Sequence, residues 1–159
     1  MSTAAIIGGG NGGITLAKAL DEHLDVVLIE PKDAFVHSVA ALRGPVDQEW
    51  SSRSFFDYAT LLTRGRVLRD RAVKADATGV STAAGTRIDA DYIVLATGST
   101  YPYPAKYDLD DSTAVLAKLT TTHQALHETG SPVQDPGSGE NSLPRQVPSR
   151  TLLTGYSPS

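Results

Sequence analysis

Ala4-Ala5-Ile6-Ile7-Gly8-Gly9-Gly10-Asn11-Gly12-Gly13, continued by Ile14, Leu16, Ala17 and Leu20 and then by Val26-Val27-Leu28-Ile29-Glu30, is the stretch on which the fold turns. A short apolar run enters a glycine cluster. The residues after it carry apolar side chains at helical spacing, and a continuous apolar run, mostly β-branched, follows, as in a strand buried on both faces. Strand, glycine turn, helix and strand make one βαβ unit. Gly8, Gly10 and Gly13 match G-x-G-x-x-G. The first glycine permits the tight turn, the second lets backbone approach a pyrophosphate, and the third lets the helix pack closely on the sheet. Free N–H groups and the helix dipole then favour a phosphate at the helix N-terminus. Glu30 lies 20 residues after Gly10, where an acid accepts hydrogen bonds from the hydroxyls of an adenosine ribose.

Outward from this unit, Val39–Arg43 and Tyr58–Leu62 read as short helical turns. Gly65–Leu68, Arg71–Ala75 and Gly79–Thr82, separated by turn residues, read as a small antiparallel meander where a nicotinamide-nucleotide domain would carry a helix. Tyr92–Leu95 reads as a further buried strand ending in Ala96-Thr97-Gly98, and Ser112–Glu128 as a helix with Ser112 as N-cap. The fold class is therefore α/β, a Rossmann-like FAD/NAD(P)-binding domain with a parallel central sheet and an inserted β-meander. Residues 1–128 form this domain. Residues 129–159, rich in Pro, Ser and Gly, read as a low-complexity tail, disordered or non-native.

Composition removes several classes of function. The 159 residues hold 40% hydrophobic and 20% charged side chains, enough for a core, and a net charge of −4 argues against nucleic acid as a partner. With no cysteine there is no disulfide framework, thiolate metal site or redox-active thiol pair, and no metal is expected. No transmembrane segment or secretory leader is evident, so the default location is cytoplasmic. The motif alone leaves NAD and FAD open. Gly8, Gly10 and Gly12 also fit the G-x-G-x-G of methyltransferases, and a non-catalytic dinucleotide-binding module is a further alternative. The meander and the Thr97-Gly98 turn favour FAD. Tyr103 and Lys106 do not make the Tyr-x-x-x-Lys pair of a short-chain dehydrogenase.

Lys32-Asp33-Ala34-Phe35-Val36-His37, then Ala40-Ala41-Leu42-Arg43, and Ala96-Thr97-Gly98-Ser99-Thr100 with Pro102, Pro104 and Lys106, are more specific. With the glycine cluster and Glu30, they resemble the FAD domain of the apoptosis-inducing-factor-like reductases, which include the ferroptosis-suppressor type. The resemblance covers roughly residues 3–127 and implies an FAD-dependent NAD(P)H oxidoreductase whose acceptor is often a quinone. It implies that Gly8, Gly10, Asn11, Gly12 and Gly13 lie along the FAD pyrophosphate and that Glu30 holds the adenosine ribose. Lys32 would lie beside the adenosine end, the backbone of Val73 would meet the adenine, and Thr97 and Gly98 would line the flavin side. Arg43 and His37 would stand near the pyrophosphate or ribityl chain, although a helical-turn ion pair and a structural histidine serve equally well; Lys106 is a candidate flavin neighbour or a solvated lysine. The family's second βαβ unit, which binds NAD(P)H, and its later Gly-Asp flavin segment have no counterpart in these residues. The expectation is a truncated chain that binds FAD weakly and is inactive alone, with no catalytic residue assigned.

Overall fold

The computed structural model describes residues 1–128. In chain order its elements are β1 (Thr3–Ile7), α1 (Asn11–Leu20), β2 (Asp25–Ile29), β3 (Ala34–Val36), α2 (Ser38–Ala41), α3 (Gln48–Ser51), β4 (Phe55–Asp57), β5 (Arg66–Leu68), β6 (Ala72–Asp76), β7 (Gly79–Thr82), β8 (Arg87–Asp89), β9 (Tyr92–Leu95) and α4 (Ser112–Glu128). Short 3₁₀ turns at Ser52–Ser54 and Tyr58–Thr60 flank β4.

The central sheet has the order β5-β2-β1-β9 and is parallel throughout. The pleat sends alternate residues of β1 and β2 to opposite faces. Ala5, Ile7, Val27 and Ile29 meet Val80 and Ile88 of the meander on one face. Ile6, Val26 and Leu28 meet Ala17 of α1 and Tyr58 on the other. Both faces of the two central strands are thus covered, which is why their sequences are continuously apolar. A third cluster, Ala41, Tyr107, Val115 and Leu119, seats α4 against α2. The first crossover carries the chain from β1 to β2 on one side, and the later return places β9 on the other side of β1. The strand order therefore reverses beside β1, and ligands of open α/β sheets bind in the crevice at such a point.

α1 and β2 agree with the sequence expectation. The meander does not in one respect. Residues 66–68 join the central sheet, with Val27 opposite Arg66 and Ile29 opposite Leu68, and the third meander strand is Arg87–Asp89. A strand of three residues carries too little pattern to name its partner, and here the partner is chosen by Asp21. Its carboxylate accepts the backbone N–H groups of Thr63 (2.6 Å) and Gly65 (2.6 Å), drawing the segment alongside β2. Tyr92–Leu95 is a strand but not a buried one: Leu95 is 71% exposed, since β9 lies at a sheet edge among the described residues. The cap of α4 is Asp111, whose carboxylate accepts the Ala114 N–H at 3.1 Å. Ser112 instead gives both its N–H and its hydroxyl to Asp33. The expectation for 129–159 lies outside the described residues.

Candidate functional site

The C-terminal ends of β1, β2 and β9 are stitched together at Gly8. The Gly8 N–H donates to the Ile29 carbonyl at 2.9 Å, and the Ala96 N–H donates to the Ile7 carbonyl at 2.8 Å. Gly8 has φ +104°, a region that side chains avoid, and an added Cβ would stand 2.4 Å from the Ala96 carbonyl oxygen. The chain then rises through Gly9 and Gly10 into α1. Gly10 is the N-cap, in extended conformation, and no side chain caps the helix. The first-turn N–H groups have no carbonyl of the helix's own to bond, and Gly10, Asn11 and Gly12 are exposed. A Cβ added at Gly10 or Gly12 would meet no atom within 4 Å, whereas one at Gly13 would lie 1.8 Å from the Gly8 carbonyl oxygen. Gly13 is thus demanded by helix–strand contact, while the protein itself makes no steric demand for glycine at Gly10.

Glu30, directly after β2, is buried. It accepts the Gly9 N–H on Oε2 at 2.6 Å and the Lys32 N–H on Oε1 at 3.2 Å. An ionised carboxylate offers about four lone-pair positions, so acceptor capacity remains. Gly9 and Tyr58 join the site only in three dimensions. The Tyr58 hydroxyl donates to the Gly9 carbonyl at 2.6 Å. Burial, and then the charge of Glu30, push that hydroxyl well above the ordinary tyrosine value, so it stays a donor. Gly9 was recoverable from its place within the glycine run. Tyr58 was not, since nothing local in its sequence points across to the turn.

The other expected residues distribute as follows. Lys32 is half-buried and its Nζ donates to the Tyr107 carbonyl at 3.2 Å. It lines a cavity of ≈ 470 Å³ together with Asp33, Tyr58, Leu62, Val67 and Arg69. Burial alone would raise the Asp33 carboxyl, but bonds from Ser112 and the charge of Arg69 bring it below the ordinary value. Val73 is exposed and occupies a register shift in β6: Ala72 faces Thr82 and Lys74 faces Ser81, leaving Val73 without a ladder partner. Thr97 and Gly98 are exposed beyond β9, with Gly98 at φ +69°. Arg43 is an ion-pair partner: its Nε is 3.1 Å from Asp47, and its guanidinium lies over the Trp50 ring at 4.6 Å. His37 caps α2, its Nδ1 accepting the Ala40 N–H at 3.1 Å. Lys106 donates to Ser99, at 3.1 Å to the hydroxyl and also to the carbonyl. The structure therefore brings Gly8, Gly10, Gly13, Glu30 and Thr97 to one switch point, and gives Arg43 and His37 partners of their own. Among the described residues no helix is long and apolar enough to cross a membrane.

Residues 2–138 match the family described as pyridine nucleotide-disulphide oxidoreductase. Apoptosis-inducing factor homolog B of Dictyostelium discoideum is 34% identical over 128 residues, covering 79% of this chain and 33% of that protein. Ferroptosis suppressor protein 1 of Mus musculus is 34% identical over 112 residues, covering 65% of this chain and 28% of that protein. These are the groups that the Lys32–Arg43 and Ala96–Lys106 stretches resemble, and the chain spans about a third of their length. Among solved structures, the sulfide:quinone oxidoreductase of Aquifex aeolicus superposes with TM-score 0.59 at 22% identity, covering 83% of this chain and 33% of that one. NDH2 of Plasmodium falciparum superposes with TM-score 0.56 at 16% identity, covering 82% and 30%. At these identities the likeness carries the fold.

Proposed function

The chain belongs to the pyridine nucleotide-disulphide oxidoreductase family, and on that premise we propose that it is the FAD-binding part of a flavin-dependent NAD(P)H oxidoreductase. The observation that carries the proposal is the turn itself. An uncapped helix N-terminus faces open space at Gly10 and Gly12, beside a buried carboxylate at the end of the neighbouring strand. Those are the complementary features of a pyrophosphate and an adenosine ribose. Membership of the family also sets aside the methyltransferase alternative.

FAD, when bound, supplies a two-electron centre between NAD(P)H and an acceptor. What these residues contribute is binding and orientation. Gly8, Gly10, Asn11, Gly12 and Gly13 form the turn along the pyrophosphate, with the N–H groups of the first turn of α1 as donors. Glu30 accepts from the ribose hydroxyls, and Lys32 flanks the adenosine end. The backbone of Val73, outside its ladder, is offered to the adenine, and Thr97-Gly98 passes beside the flavin. Arg43 is the weakest member of the set, because Asp47 and Trp50 already hold it. No thiol is present in these residues to relay electrons, so we assign the acceptor to an external molecule such as a quinone. The sequence contains one such fingerprint, so NAD(P)H is given no site here.

The test is the visible spectrum of the protein after incubation with FAD and gel filtration. Flavin bands that elute with the protein support the proposal. A colourless protein that leaves all FAD behind overturns it for this chain.

A further inference from the structure

Tyr58 grips the glycine turn from within the core. It is 6% exposed, sits at the start of a 3₁₀ turn, and packs with Ile6, Ala17, Val26 and Leu28. Its hydroxyl donates to the Gly9 carbonyl at 2.6 Å. That carbonyl belongs to the Gly9–Gly10 peptide, which is trans. In a trans peptide the C=O and the N–H point in opposite directions. Drawing the Gly9 carbonyl down to Tyr58 therefore turns the Gly10 N–H away from the core, to the exposed side of the turn. The preceding peptide is held as well, since the Gly9 N–H donates to Glu30 at 2.6 Å. Two consecutive glycines would otherwise sample many backbone conformations. The clamp also explains why residue 9 is glycine: a Cβ there would lie 2.5 Å from the Tyr58 hydroxyl and 2.9 Å from Glu30 Cγ.

We propose that Tyr58 is a positioning residue for dinucleotide binding: by holding the Gly9 carbonyl it aims the Gly10 N–H at the pyrophosphate, without touching the ligand itself. The role rests on the FAD reading above. It deepens that reading by placing the orientation of one anion-binding donor under the control of a side chain 49 residues further along the chain.

Tyr58→Phe removes one oxygen and leaves the ring in the core. The parent chain, Tyr58→Phe and Val26→Ala are titrated with FAD and with ADP by calorimetry, under conditions where circular dichroism shows all three folded. Val26 lies in the same cluster and is fully buried, so its truncation loosens the packing while sparing the carbonyl bond. The expected result is that Tyr58→Phe weakens FAD and ADP roughly tenfold, the scale of one charge-assisted hydrogen bond from a Gly10 N–H no longer held towards the anion, and that Val26→Ala weakens them less than about twofold. Unchanged affinity in Tyr58→Phe, or equal loss in Val26→Ala, overturns the role of Tyr58 alone. A parent chain that binds neither FAD nor ADP overturns the dinucleotide reading, and this role with it.

Discussion

Alanine at Gly13, Gly12 and Gly10 in turn separates what the fold needs from what a ligand needs. At Gly13 the new Cβ would lie 1.8 Å from the Gly8 carbonyl oxygen and 3.0 Å from its carbon, about 1.2 Å inside the 3.0 Å that real Cβ atoms respect. The opposing atom is backbone, fixed between β2 and β9 by the bonds at Gly8 and Ala96, so it cannot swing aside as a side chain would. The strain must lift α1 from the sheet and open the contacts of Ala17, Ile14 and Leu20 with the core. Overpacking of this kind costs about 1–3 kcal/mol, and a backbone-against-backbone clash belongs at the upper end, at about 3 kcal/mol or more. That lowers the folding constant by two decades and the urea midpoint by roughly 1–3 M. At Gly12 the Cβ enters open space on the first turn of a helix, where alanine is favoured over glycine by up to ~1 kcal/mol. Stability should hold or rise. At Gly10, with φ −75° and nothing within 4 Å, stability should change by less than about 1 kcal/mol, yet the methyl group fills the space assigned to the pyrophosphate. Urea unfolding followed by circular dichroism, beside FAD titration, reads both quantities. A Gly13→Ala protein as stable as the parent refutes the steric reasoning. A Gly10→Ala protein with unchanged FAD affinity refutes the placement of the anion.

Glu30→Gln should keep an acceptor for the Gly9 N–H while removing the charged acceptor from the ribose, weakening ADP by roughly ten- to a hundredfold. Inorganic pyrophosphate, which has no ribose, should bind at least as well as to the parent; competition titration measures both, and undiminished ADP binding removes Glu30 from the site. Asp21 should confer a distinct acid sensitivity. Backbone bonds from Thr63 and Gly65 hold its carboxyl below the ordinary 3.8, so its contribution is complete above that pH and is lost as pH falls through the lower native value. The stability gap between the parent and Asp21→Asn, read from urea midpoints, should therefore narrow as pH falls below 3.8. A gap that stays constant or widens on acidification refutes the role given to Asp21.

The parts of this protein that could be read in one dimension are those whose physics is local. Asn11–Leu20 declares itself by 3.6-residue spacing after a glycine cap, and Val26–Ile29 by an unbroken apolar run of mostly β-branched residues. The same local rules place Gly8, Gly10, Gly13 and Glu30 at one end of one βαβ unit, so most of the candidate site was legible from spacing alone. The rest depends on contacts between distant residues. Whether Arg66–Leu68 extends the parallel sheet or opens the meander is decided by Asp21, reaching 42 and 44 residues ahead to Thr63 and Gly65. The exposure of Leu95 follows from its place at the sheet edge rather than from its apolar sequence. Arg43 and His37 carry the right chemistry for a phosphate neighbour, and only the fold shows that Asp47 and Trp50 engage the first and that the second caps α2. Tyr58 is the plainest case. Its hydrogen bond to Gly9 exists only because the chain returns beneath the glycine turn, and no periodicity encodes a contact formed by two segments that meet only in three dimensions.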